Sequence, residues 1–501
     1  MKSIEGRLAM YFIGIDIGTS SVKLIAIDEH GEVLKSASKE YPLYFPKPLW
    51  SEQNPEDWWQ KTIEGMKDLL DGLNKNEVKA ISFSGQMHGL VLLDKDDQVI
   101  RPAILWNDQR TEKECKYLNE EIGQKTISEW TGNLALTGFT APKVLWVKEN
   151  EAPNFARINK IMLPKDYIAY RMSGVFATDL SDASGTLYLD VKNRKWSNPM
   201  LELLGITENQ LPKLFESYEE IGTITTELAM ELGLKETVKI VIGGGDQAVA
   251  AVGGGVVRPD TCSVSLGTSG VVFTSTENFF VDGQNSLHSF CHANGEFHQM
   301  GVTLAAAASL KWWVEEVNKS DNFEGLLKEA EEAAIEDNVF YLPYLMGERT
   351  PHNDPYCRGT FIGMNMAHER KHLTRAVLEG VAFSLRDTFE IMKAMGINIS
   401  EISINGGGAK SQLWCEIIAN VLNARVVKLN ANEGPSYGAA ILAAVGSGLF
   451  PSVKEACDAF IKVTDSIEPS KVAVELYNYK YQKYKAIYPA TKDLFKIISG
   501  S

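Results

Sequence analysis

The chain has 501 residues, 44% of them apolar and 23% charged, a composition that excludes a disordered polypeptide. Fifty Lys and Arg stand against 65 Asp and Glu, a formal net charge of −15, which repels a phosphate backbone and argues against nucleic-acid partners. A small anion held by backbone amides stays allowed, and no apolar run reaches the ~18 residues that would cross a bilayer.

At ~100–200 residues per domain, two large domains are expected. The polar leader 1–9 contains Ile4-Glu5-Gly6-Arg7, which reads like a protease site from an expression vector, so Met10 is the expected natural start. Next, Phe12–Asp28 carries two β-rich runs split by Gly18-Thr19-Ser20-Ser21, the pattern of a hairpin. Such a turn lets successive amides and hydroxyls cradle phosphate oxygens, and Asp16 beside it suggests Mg²⁺, held directly or through water. Asn54-Pro55-Glu56-Asp57 supplies a cap, a proline at the first helical position and two first-turn acids, predicting a helix to about Leu70.

Ser84-Gly85-Gln86-Met87-His88-Gly89 follows a strand expected over Val78–Phe83, a setting for a small-molecule contact. Leu105–Arg110 gathers donors and acceptors suited to sugar hydroxyls. Val238–Val252 reads as a strand entering Gly243-Gly244-Gly245, with Asp246-Gln247 opening a helix. The spacing Gly243-x-Gly245-x-x-Ala248 also satisfies a dinucleotide fingerprint, but no acidic residue ends a second parallel strand about 20 residues on. Asp246 therefore reads either as a cleft carboxylate with catalytic work or as a helix cap.

Thr261–Phe273 repeats Gly-Thr-Ser between two β runs, pointing to an internal duplication with a boundary near residues 253–260. His288, Cys291, His292 and His298 match no zinc spacing. Glu401–Val421 repeats strand, triple glycine and helix at Gly406-Gly407-Gly408, where an adenosine or phosphate group could lie against the backbone. Glu433–Val445 is a run of small residues that would admit a flat ligand or tight helix–sheet packing. Six scattered cysteines without a CxxC pair read as reduced thiols, in keeping with a cytoplasmic protein.

Two longer motifs carry a resemblance. Gly138–Asn150, with Thr140, Lys143 and Trp146 at fixed positions, and Gly359–Glu379, with Gly359, Gly363, His372, Ala376 and Glu379, are similar to the two signatures of the FGGY carbohydrate kinases. The resemblance implies an α/β fold of two actin-like, hexokinase-type (ribonuclease H-like) domains, 10–253 and 254–501, that close a cleft over the substrates. It implies ATP and Mg²⁺ as cofactors. Within the family, Trp50–Trp59, Ser84–Gly89, Leu105–Arg110, Met162–Tyr167 and Ser181–Thr186 are similar to members acting on D-xylulose, which implies that sugar, phosphorylated at its 5-hydroxyl, as the acceptor. Asp246 would be the general base. Met87, His88, Trp106, Asn107 and Gln247 would face the sugar. Gly18, Thr19, Ser20, Gly267, Thr268, Ser269, Gly407, Gly408 and Ser411 would serve ATP, with Asp16 on the metal side. Gln247 departs from the Asn often found there in the nearest members, and Gln at that place also occurs in glycerol kinases. The alternatives are a family member acting on ribulose, gluconate or glycerol, a dinucleotide-dependent oxidoreductase, and a non-catalytic sensor. A homodimer is among the assemblies the resemblance allows.

Overall fold

A computed structural model describes residues 9–430 and 434–499; residues 1–8, with the protease-like stretch, and Glu433 lie outside them. Contacts divide the chain into two units. The first gathers residues through Val257, Ser289–His298 and the described part of 433–462; the second holds Arg258–His288, Gln299 through 430 and the described residues from Val463. The sequence suggests a single cut near 253–260, whereas two later segments return to the first unit.

The sheet of the first unit comprises β1 (Tyr11–Ile17), β2 (Ser21–Ile27), β3 (Val33–Glu40), β4 (Val78–Gly85), β5 (Glu220–Thr223) and β6 (Lys239–Gly245), in the order β5-β6-β4-β1-β2-β3. Its central strands are branched and aromatic: Phe12, Ile13, Ile15, Ile17, Phe83, Ile240 and Ile242 are all buried, as strands covered on both faces require. β1 and β2 form the expected antiparallel hairpin, while β4 runs parallel to β1 and β6 parallel to β4. That register sets Asp16 beside Ser84, and Ser84 beside Gly244, in one row.

The expected helix spans Pro55–Leu70, with Asn54 Oδ1 accepting the Glu56 amide as its cap. It buries Trp58, Ile63, Met66, Leu69 and Leu70 against β2 and β3, each large side chain contributing on the order of 1.5–3 kcal/mol. The helix Pro435–Ser447 lies against β1, β4 and β6. A Cβ on Gly14 would sit 1.9 Å from the Ser436 carbonyl oxygen, and one on Gly438 would sit 1.9 Å from that of Val249. The small residues of this helix therefore serve close packing, which decides against a flat ligand there.

The sheet of the second unit includes β7 (Thr261–Leu266), β8 (Gly270–Thr276), β9 (Phe297–Thr303, of which Gln299 onwards belongs to this unit), β10 (Glu401–Asn405), β11 (Arg425–Leu429) and β12 (Val463–Ile467), neighbours in the order β9-β8-β7-β10-β11-β12. Pairing runs antiparallel, parallel, parallel, antiparallel along β8-β7-β10-β11-β12. The first unit repeats that sequence along β2-β1-β4-β6-β5, so the duplication is one of topology as well as motif. Its core joins the helices Arg370–Ala394 and Gln412–Leu422 through Val377, Val381, Phe383, Trp414 and Ile418. Among the described residues, no helix is long and apolar enough to cross a membrane.

Candidate active site

In the β1–β2 turn every carbonyl is tied back to the protein. Gly18 O accepts from the Tyr41 hydroxyl, Thr19 O from Gln53 Nε2 at 2.7 Å, and Ser20 O from the Tyr41 amide at 3.2 Å. Among the described residues the amides of Thr19 and Ser20 have no acceptor. The β7–β8 turn repeats the arrangement: Gly267 O accepts from the Ala307 amide at 2.8 Å, Thr268 O from those of Ala306 and Ala308, and the Thr268 and Ser269 amides have none among the described residues. Carbonyls held back and amides left open make each turn a donor surface suited to an anion.

Asp16 stands two residues before the first turn, where the second copy has Ser265, so one copy alone carries the acid. Its Oδ1 is buried without a hydrogen-bond partner, as are Ser84 Oγ and Gln86 Oε1. An orphaned buried acceptor costs about 1–3 kcal/mol, and a bound ion or ligand would remove that cost. Burial pushes the Asp16 carboxyl up to about 6.

Asp246 opens the helix Asp246–Gly253, but the extended residue at the cap position is Gly245, with ψ 144°. Asp246 is thus the first helical residue and not the cap; its Oδ1 accepts the amide of Gln247 at 2.7 Å. Burial, and then the charge of Asp16, push its carboxyl up to about 7. The glycine triplet that delivers it is required by contact: Gly243 has φ +73°, and a Cβ there would sit 1.8 Å from the Phe83 carbonyl oxygen. After this helix the chain enters the antiparallel β7–β8 hairpin, so the βαβ unit that a dinucleotide fingerprint needs is missing.

His88 has φ +69°, and its carbonyl accepts from Lys143 Nζ at 2.8 Å and Thr140 Oγ1 at 3.1 Å. Both donors belong to the first signature motif. Lys143 is fully buried, and burial pushes its ammonium down to about 7. The His88 ring stacks on Phe139 at 4.7 Å, and its Nδ1 lies 2.7 Å from the Gly185 carbonyl oxygen. A carbonyl can only accept, so Nδ1 carries a proton, and in the neutral ring the lone pair then falls on Nε2. Met87 is buried beside it, so close that a Cβ on Gly245 would lie 2.9 Å from the Met87 sulfur.

The Leu105–Arg110 run divides. Asp108 turns inward, taking Arg110 Nε at 2.8 Å, Arg110 Nη2 at 2.7 Å and the Ser51 amide at 2.6 Å. Arg110 also pairs with Glu52 and stacks on Trp50, its guanidinium 3.7 Å from the ring centre. These groups are spent on structure. Trp106 is 46% exposed and donates to Thr19 Oγ1, while Asn107 Oδ1 is buried with no partner.

Two sets of supporting residues escape assignment from sequence. Gln53 accepts from Trp58 Nε1 and Gln86 Nε2 while donating to Thr19 and Pro42, fixing the first turn. Lys165 sits among Asp166, Asp179 and Asp182 at 2.6, 2.9 and 3.7 Å, every one of these side chains fully buried. Gln53 falls in a polar segment, whereas Lys165-Asp166 interrupts an apolar one, Ile161–Ala169, and nothing local names the distant Asp179 and Asp182 as partners.

In the second unit Gly406 has φ +86° and a Cβ there would lie 2.6 Å from the Leu266 carbonyl oxygen, whereas one on Gly407 meets nothing within 4 Å. The backbone at Gly407 therefore borders open space. Ser411 caps the helix Gln412–Leu422, its Oγ accepting the Trp414 amide at 3.2 Å. His292 has its Nε2 on the Val256 carbonyl at 2.7 Å and its Nδ1 on the Ala293 amide at 2.8 Å. Both nitrogens are engaged by backbone, which explains its place in the sequence without a metal.

Residues 11–253 match the family model described as the N-terminal domain of the FGGY family of carbohydrate kinases, and residues 262–447 match that of its C-terminal domain. The chain is 43% identical over 488 residues to a xylulose kinase of Bacillus subtilis (strain 168), covering 97% of this chain and 98% of that one. A solved “xyloylose kinase” from Brucella ovis superposes with a TM-score of 0.92 at 38% identity, over 97% of this chain and 100% of that chain. A gluconate kinase from Lactobacillus acidophilus gives the same TM-score at 28% identity, over 96% and 98%.

Proposed function

The chain belongs to the FGGY family of carbohydrate kinases, and we propose that it transfers the γ-phosphoryl group of ATP to the 5-hydroxyl of D-xylulose, yielding D-xylulose 5-phosphate. Its two-unit α/β architecture is of the actin-like, hexokinase type. Superposition does not choose the sugar, since the gluconate kinase fits as well as the Brucella enzyme; the higher identity to xylulose kinases supports D-xylulose.

One observation carries the chemistry: the Asp246 carboxyl, pushed up to about 7, sits where β6 gives way to a helix. An alcohol is a poor nucleophile until its proton is taken as the bond to phosphorus forms. A carboxylate with a value near neutrality accepts that proton while being unprotonated in a useful fraction of molecules. His88 Nε2, oriented through Nδ1, accepts a sugar hydroxyl, with Met87, Trp106, Asn107 and Gln247 around it. The open amides of Thr19 and Ser20, and of Thr268 and Ser269, hold phosphate oxygens, and Gly407, Gly408 and Ser411 take the nucleoside side.

Mg²⁺ is usually held by one or two carboxylates together with substrate phosphates. The orphaned Asp16 Oδ1 fits that donor set, directly or through water, even though no group of three acids, imidazoles or thiols is gathered among the described residues. When bound, the ion neutralises charge on the phosphates. Closure of the protein over its substrates, excluding competing water, belongs to the same proposal, as does action in the cytoplasm, where ATP is supplied.

The test is ATP-coupled turnover with D-xylulose, L-ribulose, D-ribulose, gluconate and glycerol. D-Xylulose should lead in kcat/KM by at least about tenfold, a difference of roughly 1.4 kcal/mol in transition-state binding. A different leader overturns the substrate, and no ADP release with any of the five overturns the kinase reading.

A further inference from the structure

The Ser181–Thr186 segment has a location in the structure that gives it work. Asp179 is fully buried at the end of the strand Ala177–Asp179, and Lys165 Nζ lies 2.9 Å from its Oδ1. Its Oδ2 accepts the Ser181 amide at 2.8 Å, Ser181 Oγ at 2.5 Å and Ser217 Oγ at 2.7 Å, with the Asp182 amide farther off at 3.4 Å. Ser181 Oγ gives its only hydrogen to that carboxylate, so it meets other donors as an acceptor. The closer of the two donors it meets is the Gly245 amide at 3.1 Å, in the residue directly before Asp246; the other is Ser217 Oγ at 3.4 Å.

Steric evidence points the same way. A Cβ on Gly244 would lie 2.6 Å from Ser181 Oγ and 3.2 Å from Ser217 Oγ, so the glycine strand end rests directly on these hydroxyls. Gly185, whose carbonyl orients the His88 ring, caps the same one-turn helix, Leu180–Ser184, through its own N–H. One short segment thus reaches the backbone that carries the base and the ring that reads the sugar.

We propose that Ser181, held by Asp179 and Lys165, is a positioning residue for the reaction: its hydroxyl fixes the Gly245 amide and thereby the direction of the Asp246 carboxylate. The inference rests on Asp246 being the general base. Without the Ser181 acceptor the Gly245 N–H is left buried and unpaired, and the β6 end shifts to satisfy it. The base then spends less time in the orientation that meets the substrate hydroxyl, which lowers turnover more than binding.

The experiment compares Ser181→Ala, Ser181→Thr, Ser217→Ala and Asp246→Asn in the full chain, by steady-state kinetics and thermal melting. Ser181→Ala should stay folded, lose about 10- to 100-fold in kcat and keep both KM values within about threefold. Ser181→Thr, which restores the hydroxyl, should recover most of that loss. Ser217→Ala removes the same kind of bond to Asp179, and a longer contact with Ser181 Oγ, but leaves the Gly245 amide its acceptor, and should lose far less kcat than Ser181→Ala. Equal losses from the two alanine variants, or wild-type turnover in a folded Ser181→Ala, overturn the inference. Should Asp246→Asn turn over normally, the base assignment itself falls; an inactive Asp246→Asn beside a fully active Ser181→Ala sinks the positioning role alone.

Discussion

Trp106 Nε1 donates to Thr19 Oγ1 at 2.9 Å, so the loop assigned to the sugar shares a hydrogen bond with the turn assigned to phosphate. The indole is 46% exposed, and packing alone does not fix it. Trp106→Phe and Thr19→Val each remove the bond from one side. A hydrogen bond of this kind contributes about 0.5–1.5 kcal/mol. In a double-mutant cycle on kcat/KM the double variant should lose less than the sum of the singles, by about that amount. Fully additive losses would mean that the bond couples nothing.

His88 is held from three sides: Lys143 and Thr140 grip its carbonyl, Gly185 its ring, and Phe139 its face. Such a cost in backbone conformation and buried charge suits a ring whose Nε2 must stay aimed. His88→Ala should therefore raise the sugar KM, by the equivalent of about 1–3 kcal/mol, and leave the ATP KM within about twofold. Unchanged sugar kinetics would make His88 a packing residue.

The titration of Asp246 gives a pH dependence with a definite sign. The base works unprotonated, and burial with the Asp16 charge holds its carboxyl up at about 7. kcat/KM should rise with pH through about 7 and level off above it, the midpoint belonging to the Asp16–Asp246 pair as a whole. A flat profile between about pH 5.5 and 8 would contradict the assignment, because an ordinary carboxylate is fully ionised across that range.

Local chemistry was readable in the sequence, and long-range return was not. Asn54-Pro55 announced its helix, the two Gly-Thr-Ser turns announced their hairpins, and Gly243-Gly244-Gly245 announced a strand entering a helix. Each of these is decided by residues within a few positions. The reason for Gly243, a close approach to the Phe83 carbonyl, needs a strand partner 160 residues earlier. The same limit hid the Lys165–Asp179–Ser181–Gly245 chain, whose members share no spacing rule. The run Leu105–Arg110 reads as suited to sugar hydroxyls because it gathers donors and acceptors, which does not tell Asp108, spent on Arg110 and the Ser51 amide, from its neighbours. The small-residue helix Pro435–Ser447 was equally consistent with a ligand or with packing until Gly14 and Val249 were seen against it.

His292 supplies a stability test independent of catalysis. Its Nδ1 accepts the Ala293 amide while Nε2 donates to Val256, an arrangement open only to the neutral ring. Burial holds its value down at about 4, below the 6.5 of an exposed imidazole. A folded value below the unfolded one means that the contribution is complete above about 6.5 and is lost as pH falls through 6.5 towards 4. The loss is at most about 3 kcal/mol, and His292→Gln should flatten that part of the pH–stability curve. Melting temperatures of the two proteins between pH 4 and 7 decide the matter, and parallel curves would contradict it.

The central claim, proton removal by Asp246 during phosphoryl transfer, is tested most directly by Asp246→Asn. Asparagine keeps the size and can still accept the Gln247 amide, but it takes no proton at neutral pH. The measurement is steady-state turnover of D-xylulose and ATP by the purified variant, with its melting curve recorded on the same sample. The account predicts a folded protein whose kcat falls by roughly 10²–10⁴ with little change in either KM. A folded variant with near-wild-type turnover would contradict it.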